Sequence, residues 1–314
     1  MMISLASIRK RENWLVVVGM HKPIIQSILD FDFYAGKKKP TVASIITGSC
    51  GFEKFFWGNR ECLIETTDSV SKNTHGWFIN VQSGRRALTT GMLFMRIPTV
   101  NGGVFFAENV PEQHALALFQ EAQKNEKLCI GPSSVGLLVP GYLKLGPIGG
   151  ITPEQVEHIA KRSDGEIAVI CGSGGMTNEL IHLVSTNSSG VSFALSFGGD
   201  RFPLATPKQA FLLAQDDSQT RAIIYYGELG GDDEYELITL RKQGKLTKPV
   251  IMHIAGTVAH LFPLNPQFGH AKAKASYERE TAKAKRSALK ETGFMVTERF
   301  SDVGEYLSKL KSNL

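Results

Sequence analysis

Short apolar runs that stop at a glycine and hand over to a helical pattern recur along the 314-residue chain, and this alternation limits the fold more than any other feature. In Trp14-Leu15-Val16-Val17-Val18-Gly19-Met20 the run ends in glycine, and Pro23, Ile24, Ile25, Ile28 and Leu29 follow at helical spacing. A strand apolar at every position must be covered on both faces, and helices inserted between successive strands do this in a parallel, doubly wound sheet. Further strands are expected at Val42–Thr47, Trp77–Val81, Val104–Ala107 and Leu128–Ile130, with a helix from Pro111 to about Asn125. A second series begins at Glu166–Cys171 and continues through Val191–Phe197, Ala222–Tyr226 and Pro249–Ile254. Between the two lies a crossing dense in breakers, Gly131-Pro132-Ser133-Ser134-Val135-Gly136, Pro140-Gly141 and Gly146-Pro147-Ile148-Gly149-Gly150, where the first domain is expected to end.

The glycine turns fall just after strands, so in a parallel sheet they gather at one edge, where open α/β folds bind ligands. In the first half these loops are Thr47-Gly48-Ser49-Cys50-Gly51, Gln82-Ser83-Gly84-Arg85-Arg86 and Glu108-Asn109-Val110-Pro111. Arg85 and Arg86 are either phosphate contacts or solvated helix-start arginines. The first turn lacks the two further glycines of a dinucleotide fingerprint, which disfavours hydride transfer. In the second half, Gly172-Ser173-Gly174-Gly175-Met176-Thr177-Asn178 places glycines at a helix start, where free amides and the helix dipole favour an anion. Lys and Arg outnumber Asp and Glu by 35 to 30, with pI ≈ 8.9, an excess that suits an anionic ligand and is too small to imply nucleic acid. The four cysteines lack CxxC spacing, and neither they nor the histidines form a metal-site pattern; free thiols in a reducing cytoplasm are expected. No apolar run of membrane-spanning length and no signal-peptide pattern is present.

Pro266-Gln267-Phe268-Gly269-His270-Ala271 sets one histidine between residues with almost no side chain, open to a bulky anion. Taken alone, the hexapeptide is better read as a loop histidine in a tight turn. Its company changes that balance. Gly131-Pro132-Ser133-Ser134, Ser173-Gly174-Gly175-Met176-Thr177-Asn178-Glu179, Gly198-Gly199-Asp200-Arg201-Phe202-Pro203, Gly227-Glu228-Leu229-Gly230-Gly231, Lys248-Pro249-Val250 and Gly269-His270-Ala271 resemble, in order and approximate spacing, the family of succinyl-CoA synthetase α subunits and ATP-citrate lyase. The resemblance runs through nearly the whole chain.

The resemblance implies a Rossmann-like CoA-binding domain over residues 1–132 and a flavodoxin-like ligase domain over residues 133–314. It also implies an ATP-dependent acid–CoA ligase that phosphorylates His270, passes the phosphoryl group to a carboxylate and lets CoA displace phosphate. Glu228 would hold the other imidazole nitrogen; Ser173, Gly174, Gly175, Met176 and Thr177 would hold the phosphoryl oxygens; Asn178 and Arg201 would meet the acid. CoA is expected against Gly19, Met20, His21, Lys22, Arg85, Arg86, Ala107, Glu108 and Asn109, where the family's glycine-richer loops are replaced.

Leu29-Asp30-Phe31-Asp32-Phe33, Phe56-Trp57-Gly58, Asn178 in place of a tyrosine, Arg201 in place of a proline and Gln267-Phe268-Gly269-His270 look like the citrate branch. The expectation is therefore a small, α-like subunit that forms citryl-CoA with a larger ATP-grasp partner carrying ATP and Mg²⁺. With no lyase-like segment before Leu314, cleavage of citryl-CoA is expected from a separate lyase. A succinate-specific α subunit and a non-catalytic acyl-CoA-binding regulator are the alternatives. The second would have no need of His270, Glu228 and the Ser173–Thr177 turn together. Lys272, Lys274, Arg279, Lys283, Lys285 and Arg286 are expected to form a solvated basic helix, and His253 and His260 to be structural.

Overall fold

The alternation of apolar runs and helical patterns is realised as two seven-stranded sheets. The computed structural model describes residues 3–10, 12–262, 266–267, 269–270 and 273–313. The first sheet contains β1 (Leu15–Val18), β2 (Val42–Ile46), β3 (Gly51–Trp57), β4 (Arg60–Thr67), β5 (Gly76–Asn80), β6 (Val100–Phe105) and β7 (Leu128–Ile130), in the order β3-β4-β2-β1-β5-β6-β7. Every neighbouring pair is parallel except β3 with β4. Helices α1 (Leu5–Lys10), α2 (Lys22–Tyr34), α3 (Ala87–Met95), α4 (Glu112–Lys124) and α5 (Pro153–Ala160) accompany this half.

The second sheet contains β8 (Gly136–Val139), β9 (Leu143–Leu145), β10 (Ile167–Cys171), β11 (Val191–Ser196), β12 (Ala222–Gly227), β13 (Val250–Ile254) and β14 (Met295–Val296). Its order is β14-β13-β12-β10-β11-β8-β9, and β14 through β11 pair in parallel. Helices α6 (Gly174–Asn187), α7 (Pro207–Asp216), α8 (Asp233–Lys242), α9 (Ala282–Glu291) and α10 (Val303–Asn313) belong with it.

Strands β1, β10, β11 and β13 are buried at every residue, as continuous apolar runs require. Chain packing groups residues 1–163 and 202–205 into one unit and residues 164–201 and 206–314 into another. The first sheet ends with β7 and the second begins with β8, and the passage at residues 132/133 is proposed as the domain boundary.

Three local expectations are corrected. The breaker-rich crossing contains the antiparallel hairpin β8–β9, because its glycines permit close strand approach: a Cβ on Gly136, at φ 108°, would fall 1.6 Å from the Leu145 carbonyl oxygen. Strand β6 begins at Val100, since Gly102 and Gly103 lie within it, and a Cβ on Gly102 would meet the Leu128 carbonyl oxygen at 1.9 Å. The basic helix begins only at Ala282 and is not wholly solvated. Lys274, Arg279 and Lys283 are exposed, but Lys285 and Arg286 are buried with Ala282 and Leu289 on the helix face turned inward. Phe268, Ala271 and Lys272 lie outside the described residues.

Candidate active site

Strands β10, β11 and β12 are parallel and adjacent in the order β12-β10-β11, so the turns that follow them leave the same edge of the second sheet. These turns are Gly172-Ser173, Gly198-Gly199-Asp200 and Glu228–Gly231. Gly172, Gly199, Tyr226, Glu228 and His270 line one cavity.

His270 Nδ1 lies 2.9 and 3.0 Å from the two carboxylate oxygens of Glu228. A carboxylate only accepts, so Nδ1–H is the donor, and in the neutral ring the lone pair then lies on Nε2. The ring is packed on the backbone of Gly199, where a Cβ would come 2.4 Å from Cδ2 and 2.8 Å from Nε2. The His270 side chain remains 29% exposed and that of Glu228 26%, which leaves the imidazole open to a ligand from solvent. Two hydrogen bonds close the loop below the ring: His270's carbonyl accepts from Gln267 Nε2 at 3.3 Å and from the Ala273 amide at 3.0 Å.

The turn into α6 is a helix start, whose first-turn amides have no acceptor within the helix. Ser173 is the N-cap residue, yet its side chain makes no capping bond. Thr177, expected among the phosphoryl ligands, bonds within the turn itself. It is fully buried, its hydroxyl donates to the Ser173 carbonyl at 2.7 Å, and its amide donates to the same oxygen at 2.9 Å. The amides of Gly174, Gly175 and Met176 remain the first-turn donors of that helix. Cys171 lies beneath the turn, where burial pushes its thiol up to about 12, so it stays protonated and structural. The described lining of the His270 cavity contains neither Asn178, which is half-buried, nor Arg201, which is exposed.

Tyr226 is a cavity residue that the sequence reading did not single out. Burial first and the Glu228 charge second push its phenol up to about 12, so it is a neutral donor at physiological pH. Its only sequence signal is position, at the carboxyl end of an apolar run and before Gly227. Behind it His253 stacks on the phenol ring at 5.5 Å and pairs through Nδ1 with the Thr297 hydroxyl at 2.9 Å, in agreement with a structural role. His260 lies in a 3-10 turn, exposed, with Nδ1 on the Thr257 carbonyl.

The expected CoA residues form a second group, on the first sheet. Gly19 to Lys22 follow β1, Arg85 and Arg86 follow β5, and Ala107 to Asn109 follow β6, three neighbouring parallel strands. The structure joins the last two loops: a Cβ on Gly84 would fall 3.0 Å from the carbonyl oxygens of both Glu108 and Asn109. Gly19 has φ 92° and packs against Val81 and Gln82, so glycine is required where the first turn meets the second. His21 Nδ1 accepts from the Ile24 amide at 3.4 Å and caps α2, while Lys22 pairs with Glu53 at 3.0 Å. Met20, Arg85, Arg86, Glu108 and Asn109 are exposed, and Asn109 has φ 56°.

Residues 170–295, which include the glycine turns and the carboxylate-held histidine at the carboxyl edge of the second sheet, match the CoA-ligase family. ATP-citrate synthase beta chain protein 1 of Oryza sativa subsp. japonica is 38% identical over 278 residues, covering 87% of this chain and 46% of that protein. ATP-citrate synthase of Mus musculus is 34% identical over 316 residues, covering 98% of this chain and 29% of that protein. The ATP citrate lyase of Methanothrix soehngenii, solved in complex with citrate and coenzyme A, superposes with a TM-score of 0.92 at 32% identity, over 96% of this chain and 50% of that one. The chain thus carries a CoA-ligase domain and, over nearly its whole length, is similar to parts of ATP-citrate synthases and of an archaeal ATP citrate lyase. It spans about half the length of the plant relative and less of the mammalian one.

Proposed function

We propose that this chain is the histidine-bearing subunit of an ADP-forming citrate–CoA ligase. The observation that carries the proposal is the pairing of His270 Nδ1 with Glu228 at 2.9 Å while the same imidazole lies against Gly199 and remains accessible. Nε2 attacks the terminal phosphorus of ATP and ADP leaves. The Nδ1–H bond to Glu228 then offsets the positive charge that the ring gains. His270 passes the phosphoryl group to a citrate carboxylate and returns to the free imidazole. CoA thiolate attacks the acyl carbon, and phosphate leaves.

The amides of Gly174, Gly175 and Met176 suit the phosphoryl oxygens, being oriented before charge moves. Asn178 and Arg201 are proposed for the acid, whose three carboxylates need more donors than a dicarboxylate does. The CoA phosphates are proposed to lie against Gly19, Arg85, Arg86 and the Ala107–Asn109 loop, where glycine turns and two exposed arginines converge on one sheet edge. ATP and Mg²⁺ are proposed to arrive on an ATP-grasp subunit. The chain should be mixed with an ATP-grasp subunit of this family, ATP, Mg²⁺ and CoA, with citrate or succinate, and the thioester identified by mass spectrometry. Citryl-CoA is expected; succinyl-CoA formed in preference would transfer the assignment to the succinate branch.

A further inference from the structure

Beneath the turn that carries Glu228 lies a buried lysine whose ammonium has three close oxygen partners. Lys285 Nζ donates to the carbonyl of Glu228 at 2.9 Å and to the carbonyl of Gly230 at 2.6 Å, and it pairs with Glu234 Oε2 at 2.6 Å. Both side chains of that ion pair are sealed from water, at 1% and 3% exposure. The other Glu234 oxygen accepts from the Tyr225 hydroxyl at 3.1 Å, and a Cβ on Gly227 would fall 2.5 Å from it, so the carboxylate is wedged directly under the turn. The next residue, Arg286, donates through Nε to the Ile254 carbonyl at 3.0 Å and so holds the end of β13. Consecutive residues of α9 therefore secure the carboxyl ends of β12 and β13.

A buried ion pair is a weak device for stability alone, because desolvating two charges offsets most of their attraction. What this pair does that an apolar residue would not is fix two carbonyl oxygens of the Gly227–Gly231 turn, one of them Glu228's own. We propose that Lys285 is a positioning residue that sets the Glu228 carboxylate beneath His270 and thereby selects the Nδ1–H tautomer. The inference rests on the proposed phosphohistidine role for its functional meaning, but its structural part stands apart from that role. Without Lys285 the Glu228 main chain gains freedom, both imidazole tautomers become populated, and the fraction with Nε2 unprotonated falls.

The test uses the double variant Lys285→Met/Glu234→Gln, which removes both charges together and leaves neither buried alone, and Lys285→Arg, which keeps the charge but replaces a compact ammonium with a planar fork. Imidazole ¹⁵N spectra of the full chain report the His270 tautomer. Transfer of phosphate from Mg·ATP in the presence of an ATP-grasp subunit reports the rate. Wild type is expected to show the Nδ1–H tautomer and both variants a mixture, with phosphorylation slowed about tenfold to a hundredfold. In a Glu228→Gln background the same changes are expected to cause less than about a twofold further loss, since residues acting through one group are not additive. A folded variant that keeps the wild-type tautomer, or a loss that multiplies with that of Glu228→Gln, would overturn the positioning role. If wild type accepts no phosphate at His270, the proposed function fails, while the tautomer spectra still decide the role of Lys285.

Discussion

The His270 imidazole rests on Gly199, so closely that one added methyl group at position 199 would lie 2.4 Å from Cδ2. Gly199 is not among the glycines with positive φ, and the three atoms nearest to an added Cβ all belong to the His270 ring. Gly199→Ala is therefore expected to fold with a melting temperature within a few degrees of wild type, while displacing His270 and lowering ligase turnover about a hundredfold. Turnover near the wild-type value would show that the ring does not work from this position.

Glu228→Gln preserves shape and a hydrogen bond but withdraws the negative charge that faces Nδ1. Single-turnover phosphorylation of His270 is expected to slow about a hundredfold or more, with circular dichroism unchanged. An unaffected single-turnover rate would remove Glu228 from the mechanism.

Arg85 and Arg86 flank the loop that packs against Glu108 and Asn109. Replacing both with alanine should weaken CoA binding about tenfold to a hundredfold by calorimetry, more steeply at low salt than at high salt. Equal affinity at low salt would return them to the solvated-helix-start role.

A buried lysine supplies the pH prediction. Lys144 Nζ donates to Ser27 Oγ at 2.9 Å and to the Gly146 carbonyl at 2.7 Å. Burial brings its ammonium down to about 7, against the partial support of Asp30 and Asp32. Between pH 7 and the ordinary lysine value of 10.5 the unfolded chain holds a proton that the folded chain has released, so stability rises with pH across that window. Urea midpoints at pH 7 and 9 should climb in wild type and climb less in Lys144→Met; equal climbs would place the titration elsewhere.

Much of this architecture is legible in the sequence because a parallel strand covered on both faces must be apolar throughout. Leu128–Ile130 and the apolar runs of the second half were readable for that reason, as was the glycine turn after each. What escaped notice depends on pairings invisible in one segment. The β3–β4 hairpin turns at Gly58-Asn59, a two-residue signal overlooked between Phe56-Trp57 and Arg60, and β8–β9 hides among glycines that resemble linker residues. His270 and Glu228 are legible through motif company, and the structure sets His270 Nδ1 2.9 Å from the Glu228 carboxylate. Lys285 was not, because a lysine in a basic run reads as solvated until the carbonyls it serves, 57 and 55 residues earlier, are brought beneath it.

The central claim is that His270 carries the phosphoryl group. The direct measurement is to incubate the chain with an ATP-grasp subunit, Mg²⁺ and ATP labelled at the terminal phosphate, then map the label by mass spectrometry and test its stability in acid and alkali. The account predicts one acid-labile, alkali-stable phosphate on His270, absent from His270→Ala and discharged by citrate with CoA. Label that persists in His270→Ala, or that neither citrate nor succinate discharges, would contradict it.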